Sequence, residues 1–346
     1  MHILFVKLSA IGDIIHALPA LAEVRRHFPD AEISWVAEAR SSEVLRDNPL
    51  IRNLIEIDTR TLRGKVIEEI LFDVSRQLKG LRKHKFDIAI DLQGLIKSAA
   101  IAKLSGAKTR WGFARGDLRE PAARFLLTDT VKIEPHTHIV RKNITLARTA
   151  LGIGGVAGPI EFPLFTSDEH KAEAAAIIAR AGERFAILNP AGGWVTKLWH
   201  AEKFGALADM VSNELGLVPV VAVGPSEMVL AERVLSASAS GKAIVVQPTL
   251  KGFYELARMA AVYVGGDTGP THLAIAAGAP VVGIFGPTEW WRNGSTNPED
   301  ICVERTDIGC RVDCHRRTCG NWICMDIPVE TVFAAVKDRL RLTNAV

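Results

Sequence analysis

Six short stretches of this chain hold the side chains that could do chemistry: "KLSAIGD" at residues 7–13, "DLQGLIKSA" at 91–99, "NPAGGWVTKLW" at 189–199, "VGPSE" at 223–227, "GGDTGPTH" at 265–272 and "GPTEWW" at 286–291. Asp13 ends the first, where an apolar run gives way to a helix-like pattern. An aspartate there accepts orphan backbone N–H groups and suits the positive end of the helix dipole. It also stands at a strand-to-helix junction, the edge at which α/β proteins bind ligands, where a carboxylate can act as a base. In the fifth stretch Asp267, Thr268 and Gly269 follow an apolar run and open a helix of small residues. Backbone N–H groups with a hydroxyl beside them make a diphosphate site, and His272, one turn in, adds a donor; the plainer alternative is a glycine-rich turn with an N-cap. Lys197 would place a point charge on the same phosphates, or sit solvated at the surface. Glu227 could accept bonds from ribose hydroxyls, or simply open a helix. Together these residues describe a nucleotide-diphosphate site in the C-terminal half.

The elements that must position them alternate. Apolar runs at "ILFV", "ISWVAE", "NLIEI" and "FDIAIDLQG" are separated by amphipathic stretches such as "HALPALAEVRRHF" and "VIEEILFDVSRQLKGLRKH". A second series starts with "FAILNPAGG" and continues through "VPVVAVG", "AIVVQP", "VYVGGDTGP" and "PVVGIFGPT". Two βα series imply two doubly wound α/β domains, divided at residues 160 and 161 within the Gly- and Pro-rich stretch "GIGGVAGPIEFPLF". The helix pattern "VETVFAAVKDRLRL" closes the second domain or packs back on the first. Neither half contains G-x-G-x-x-G or G-x-x-x-x-G-K-[ST], so nicotinamide and Walker-type nucleotide chemistry lose ground.

At 346 residues two domains are the default, and 48% hydrophobic with 23% charged residues is the composition of a globular rather than a disordered chain. No apolar run approaches the ~20 residues of a membrane span. The N-terminus reads as lacking a signal peptide, which makes a cytoplasmic location the expectation. Charge is uneven: residues 1–150 carry 25 Lys and Arg against 18 Asp and Glu, the remainder 17 against 21. A net +7 first half is either ordinary solvated surface or the mark of a domain that faces phosphates or a membrane surface. No basic run is interleaved with aromatics, which argues against nucleic acid.

Four of the five cysteines crowd into "CRVDCHRRTCGNWIC", as Cys310, Cys314, Cys319 and Cys324. Their spacing permits a structural metal knot, with unligated or partly oxidised thiols as the alternative; disulfides do not suit a reducing cytoplasm.

The motifs K-x-S-x-I-G-D-x-I-H-x-L-P-A-L, D-L-Q-G-L-x-K-S-A, and D-T-G-x-x-H followed by G-P-T resemble, in order and over nearly the whole chain, the ADP-heptose:lipopolysaccharide heptosyltransferases of glycosyltransferase family 9. "SAIGDIIHALPAL", "DLQGLIKSA" and "REP" look more like heptosyltransferase I than heptosyltransferase II. The resemblance implies the GT-B architecture, two facing Rossmann-like domains with a central cleft, the acceptor on the first and ADP-heptose on the second. It makes Asp13 the general base of an inverting transfer. The leaving ADP would be met by Lys197, the amides of Thr268 and Gly269, and His272, with Asp267 and Glu227 in the same site. Where the family has a hydroxyl-rich turn before the lysine, this chain has Gly192 and Gly193, so contacts there fall to backbone N–H groups. Arg60, Arg63 and Arg119 are implied to hold an anionic Kdo-lipid A acceptor, with Gly64 standing where the family has a lysine after Arg63; Gln93 and Lys97 would shape the acceptor floor. No cofactor or divalent cation is implied for catalysis, and the lipid acceptor implies peripheral contact with the inner face of the cytoplasmic membrane. A nucleotide-sugar epimerase of the same architecture would keep the diphosphate site, act on the donor alone and need no basic acceptor surface, whereas a non-catalytic binding protein would keep the pocket and could lose Asp13 without consequence.

Overall fold

The computed structural model describes residues 1–58, 80–310, 314 and 316–344. Among them the strands form two six-stranded sheets, each on its own compact unit, Met1–Phe165 and Thr166–Val346. The first sheet holds β1 (His2–Val6), β2 (Glu32–Glu38), β3 (Asn53–Ile57), β4 (Ile88–Asp91), β5 (Thr109–Phe113) and β6 (Asp129–Val131). The second holds β7 (Phe185–Asn189), β8 (Val218–Ala222), β9 (Ile244–Val246), β10 (Val262–Gly266), β11 (Val281–Phe285) and β12 (Ile301–Glu304). Every pairing is parallel. Parallel strands are covered on both faces, which is why these segments read as continuous apolar runs; β7, β10 and β11 are buried throughout.

Strand order is β3-β2-β1-β4-β5-β6 in the first sheet and β12-β11-β10-β7-β8-β9 in the second. Both are the doubly wound order, which reverses once, between β1 and β4 and between β7 and β10. Outside the carboxyl ends of those strand pairs the connecting loops part and leave a crevice. Four of the six chemistry-bearing stretches leave these four strands.

The amphipathic stretch "HALPALAEVRRHF" forms a single helix, and a separate short helix precedes it at the start of the helix-like pattern. A short helix, Ile11–Ile15, ends before a second, Leu18–His27, begins, with Pro19 in the first turn of the latter. Proline has no N–H to give and its φ suits a helix start, so it restarts the helix there. The stretch "VIEEILFDVSRQLKGLRKH" lies mostly outside the described residues.

The Gly- and Pro-rich segment before the second unit is held to the first. Arg148 donates to Gly154 O and Gly155 O at 2.7 Å, and Asn48 Nδ2 to Pro163 O at 2.8 Å. The same Arg148 pairs with Glu23, both buried, which joins the helix Ile139–Ala150 to Leu18–His27. The last helix, Val329–Asn344, packs on Ala201–Leu215 and on β10, β11 and β12. Its buried Arg339 donates to Asp300 Oδ1 at 2.9 Å, an oxygen that also receives the Val281 N–H.

Candidate active site

In the first unit the site is built from the loops after β1 and β4. Asp13 lies in the first turn of Ile11–Ile15, where its Oδ2 accepts the Ala10 N–H at 3.2 Å. Ala10 has no side-chain acceptor to return the bond, so only the carboxylate half of a capping box exists. The other oxygen, Oδ1, lies 3.4 Å from Arg119 Nη2, and Asp13 keeps 19% of its side-chain surface exposed. The carboxylate is therefore oriented from both sides while remaining accessible.

Gln93 ties the two loops together: its Oε1 accepts from Leu8 N at 2.9 Å and Ser9 N at 3.3 Å. Gly94 follows with φ +75, and a Cβ there would come 3.3 Å from Leu118 Cδ2. Its carbonyl accepts from Glu120 N, and Glu120 Oε2 in turn accepts from Ile96 N at 2.6 Å at the start of the helix Ile96–Leu104. The "REP" turn is thus fastened to the β4 loop, and that fastening brings Arg119 to Asp13. Lys97 donates to the buried Glu38 at 2.7 Å, which also accepts from Arg40. Arg60 and Arg63 lie outside the described residues.

Beneath this turn lie two buried ionisable groups that the sequence did not mark for a role. Lys7 donates to Leu92 O at 2.7 Å, and burial lowers its pKa against the opposing pull of Asp13 and Asp91. Asp91 accepts from Gln93 N, Gly94 N and Ser98 Oγ, yet burial outweighs these bonds and pushes its carboxyl up to about 6. Both residues stood inside the quoted motifs; a charged residue at the end of an apolar strand was the available signal.

In the second unit the loops after β7 and β10 meet. Lys197 donates to Asp267 Oδ2 at 2.6 Å and to Asp267 O at 3.2 Å, and its ammonium lies 4.3 Å from the centre of the Trp194 ring. His272 Nε2 reaches Asp267 Oδ1 at 3.2 Å. Burial alone would raise the Asp267 carboxyl, but the His272 bond and the Lys197 charge prevail and hold it far below the usual carboxylate range. A buried carboxylate flanked by two donors orients both.

Thr268 is the N-cap of the helix Gly269–Ala276. Its hydroxyl contacts Thr271 at 3.2 Å, and Thr271 contacts Tyr263 and donates to Gly266 O. Burial pushes the Tyr263 phenol upward, so this chain of hydroxyls stays neutral and fixes the turn. Gly192 packs closely, since a Cβ there would meet Leu198 Cδ2 at 2.8 Å; Gly193 opens to solvent. Glu227 Oε2 accepts from Gly224 N at 2.7 Å, closing the turn before the helix Met228–Ala237. Lys197, Asp267, Thr268 and His272 are thus brought together, with Gly269 opening the adjoining helix.

The family model for glycosyltransferase family 9 (heptosyltransferase) matches residues 74–321. The chain belongs to that family. Lipopolysaccharide heptosyltransferase 1 of Pseudomonas aeruginosa is 28% identical over 322 residues, 92% of this chain and 87% of the relative. The transferase also matches the solved structures of "E. coli heptosyltransferase WaaC with ADP" and of E. coli ADP-heptose LPS heptosyltransferase II, each with a TM-score of 0.78. Identity is 23% over 98% of this chain and 100% of the first, and 20% over 99% and 100% for the second. The shared fold is the GT-B architecture, and it does not separate the two acceptor specificities. This transferase is an enzyme of the lipopolysaccharide heptosyltransferase class.

Proposed function

We propose that this family 9 transferase moves heptose from ADP-heptose to a Kdo-lipid A acceptor with inversion, Asp13 serving as general base. The observation that carries the reading is the Lys197–Asp267–His272 cluster beside the start of Gly269–Ala276. An ammonium has three N–H donors, and Asp267 orients it without neutralising the remainder. A diphosphate at the helix start meets the amides of Thr268 and Gly269, His272 and Lys197, which stabilise the charge growing on ADP as the glycosidic bond breaks. Backbone amides of Gly192 and Gly193 extend that cradle, and Glu227 receives the ribose hydroxyls. No divalent cation takes part.

On the first unit Asp13 accepts the proton of the acceptor hydroxyl as that oxygen attacks the anomeric carbon. A carboxylate suffices because the sugar hydroxyl becomes acidic only as the oxocarbenium-like transition state develops. Arg119, beside Asp13, binds a carboxylate or phosphate of the acceptor through its planar fork, joined by Arg60, Arg63 and Lys97, while Gln93 holds the floor. Among the family's members the motifs at residues 9–21, 91–99 and 119–121 favour heptosyltransferase I, as does the 28% identical relative that bears that name. The transferase works in the cytoplasm, peripherally at the inner membrane where the lipid acceptor lies.

The test is transfer from ADP-heptose to Kdo2-lipid A, with product mass and ADP release followed in the presence and absence of EDTA during a short assay. A product heavier by one heptose, formed equally in EDTA, is expected, and Asp13→Asn is expected to lower kcat by ~10² or more with ADP affinity unchanged. A variant that keeps most of its activity would remove Asp13 as the base. ADP release without that product would leave the donor and discard the acceptor, and acceptor-independent turnover of the donor would favour an epimerase.

A further inference from the structure

Phe125, on the first unit, serves neither the core nor the transfer chemistry. It is 78% exposed, in the turn Pro121–Leu126 that follows "REP". The turn packs along the helix Ile96–Leu104 and is fastened at both ends. Glu120 Oε2 accepts the Ile96 N–H at 2.6 Å, and Arg110 donates to Leu126 O at 3.0 Å and to Ala107 O at 3.3 Å. Ala123 is fully buried, so the backbone is seated while Phe125 stands out from it.

The helix repeats the pattern. At about 100° per residue Ile96, Lys97, Ala100, Lys103 and Leu104 fall on one arc, and Ser98, Ala99, Ile101 and Ala102 on the other. The second set is buried; the first faces solvent, with Ile96 45% and Leu104 39% exposed. A surface helix ordinarily turns polar and charged residues outward. This one turns out two branched aliphatic side chains between two lysines. Charge follows the same surface: residues 96–128, which contain both elements, hold seven Lys and Arg against two carboxylates, a net +5 within the +7 of the first 150 residues. Backbone N–H groups engage both carboxylates, Ile96 on Glu120 and Ile133 on Asp117 at 3.1 Å.

Apolar side chains standing among cations fit an interface where anionic headgroups overlie hydrocarbon. The aromatic ring enters the acyl boundary, and the lysines and arginines reach phosphates with their heads while their stems cover apolar surface. A soluble acidic ligand would use the cations and leave Phe125 in water, and a second copy of this chain would set the same net +5 against itself. We propose that the outer face of Ile96–Leu104 and the turn Pro121–Leu126 dock the first unit on an anionic phospholipid bilayer, with Phe125 as the inserted side chain. This rests on the reading of the acceptor as a lipid and adds which surface meets the bilayer. Phe125 follows Arg119, the contact of Asp13, by six residues, so a docked face sets Asp13 close to the headgroups.

The experiment is cosedimentation of the full-length protein with vesicles of phosphatidylethanolamine and phosphatidylglycerol at low salt, with neither donor nor acceptor present. Wild type is compared with Phe125→Ser, Lys103→Glu and a control, Met259→Ser, whose side chain is 62% exposed on the second unit. Partition is expected to fall about tenfold in Phe125→Ser and in Lys103→Glu, and to stay within about twofold of wild type in the control. Thermal stability and the Kd for ADP should be unchanged in all three, since none of these side chains is buried. Wild type that ignores the vesicles, or Phe125→Ser that binds them as wild type does, would overturn the docking face. So would a wild-type dimer, seen by sedimentation without vesicles, that Phe125→Ser takes apart. Failure of the proposed function looks different: vesicle binding that depends on Phe125, without transfer to Kdo2-lipid A, keeps the face and removes the acceptor. Transfer by a protein whose vesicle binding ignores Phe125 does the reverse.

Discussion

Asp267 is held as a carboxylate by Lys197 and His272 together, and the dependence runs both ways, because the same carboxylate fixes where the Lys197 ammonium can go. On the proposed reading, removing the cation takes away a charged hydrogen bond to ADP, worth about 1.5–3 kcal/mol. Lys197→Met should therefore raise the Kd for ADP by roughly 10- to 100-fold, measured by calorimetry, whereas an unchanged Kd would move the diphosphate elsewhere. Asp91 offers a prediction of opposite sign to the usual surface carboxylate. Its folded pKa of about 6 exceeds the ordinary 3.8, so the fold binds the proton better than the unfolded chain does. That stability is fully present below about pH 4 and is lost as pH rises through about 6, a fall of about 3 kcal/mol. Asparagine keeps the acceptor for Gln93 N and Gly94 N and can donate to Ser98, so Asp91→Asn should lack this slope. Urea unfolding of both proteins across that range checks it; parallel curves would show that the shift is not there.

At the scale of elements, the part of the candidate site on the first unit, proposed to hold the acceptor, depends on one left-handed residue. Gly94, at φ +75, lets the β4 loop turn beneath Leu118 and receive the Glu120 N–H, and so sets the "REP" turn and Arg119. An added Cβ meets both the unfavourable φ and the Leu118 side chain. Gly94→Ala should cost about 1–2 kcal/mol in urea unfolding and raise the KM for the acceptor, with ADP affinity unchanged. Equal damage to both substrates would mean that the turn serves the whole fold rather than the acceptor. The helix-like pattern that begins near Asp13 covers two helices, Ile11–Ile15 and Leu18–His27. Its apolar spacing runs through Ala17 without interruption, and only Pro19 indicates that a helix restarts there.

For the whole molecule, the uneven charge is the widest-range signal. The described residues contain no helix long and apolar enough to cross a membrane; on the proposed reading, contact with a lipid acceptor would use the net +7 of the first 150 residues. Binding to anionic vesicles should be measurable by flotation at low salt and vanish as the Debye length shrinks to about 3 Å near 1 M salt. No flotation at low salt would remove the membrane contact from the reading. The amino-acid sequence by itself marked β1 to β4 and β7 to β11, the two βα series and the motifs of the family, because buried parallel strands and glycine turns are written in local patterns; β5, β6 and β12, only partly buried, carry no such apolar run and were not marked. It also exposed Asp13, Lys197, Asp267 and His272 by their place after apolar runs. Tertiary structure alone decided which of them meet. Arg119 and Asp13 are 106 positions apart and Lys197 and Asp267 are 70 apart. The reversal of strand order between β1 and β4, and again between β7 and β10, sets those loops side by side. That reversal is a property of how six strands stack in a sheet, and no local run of residues encodes it.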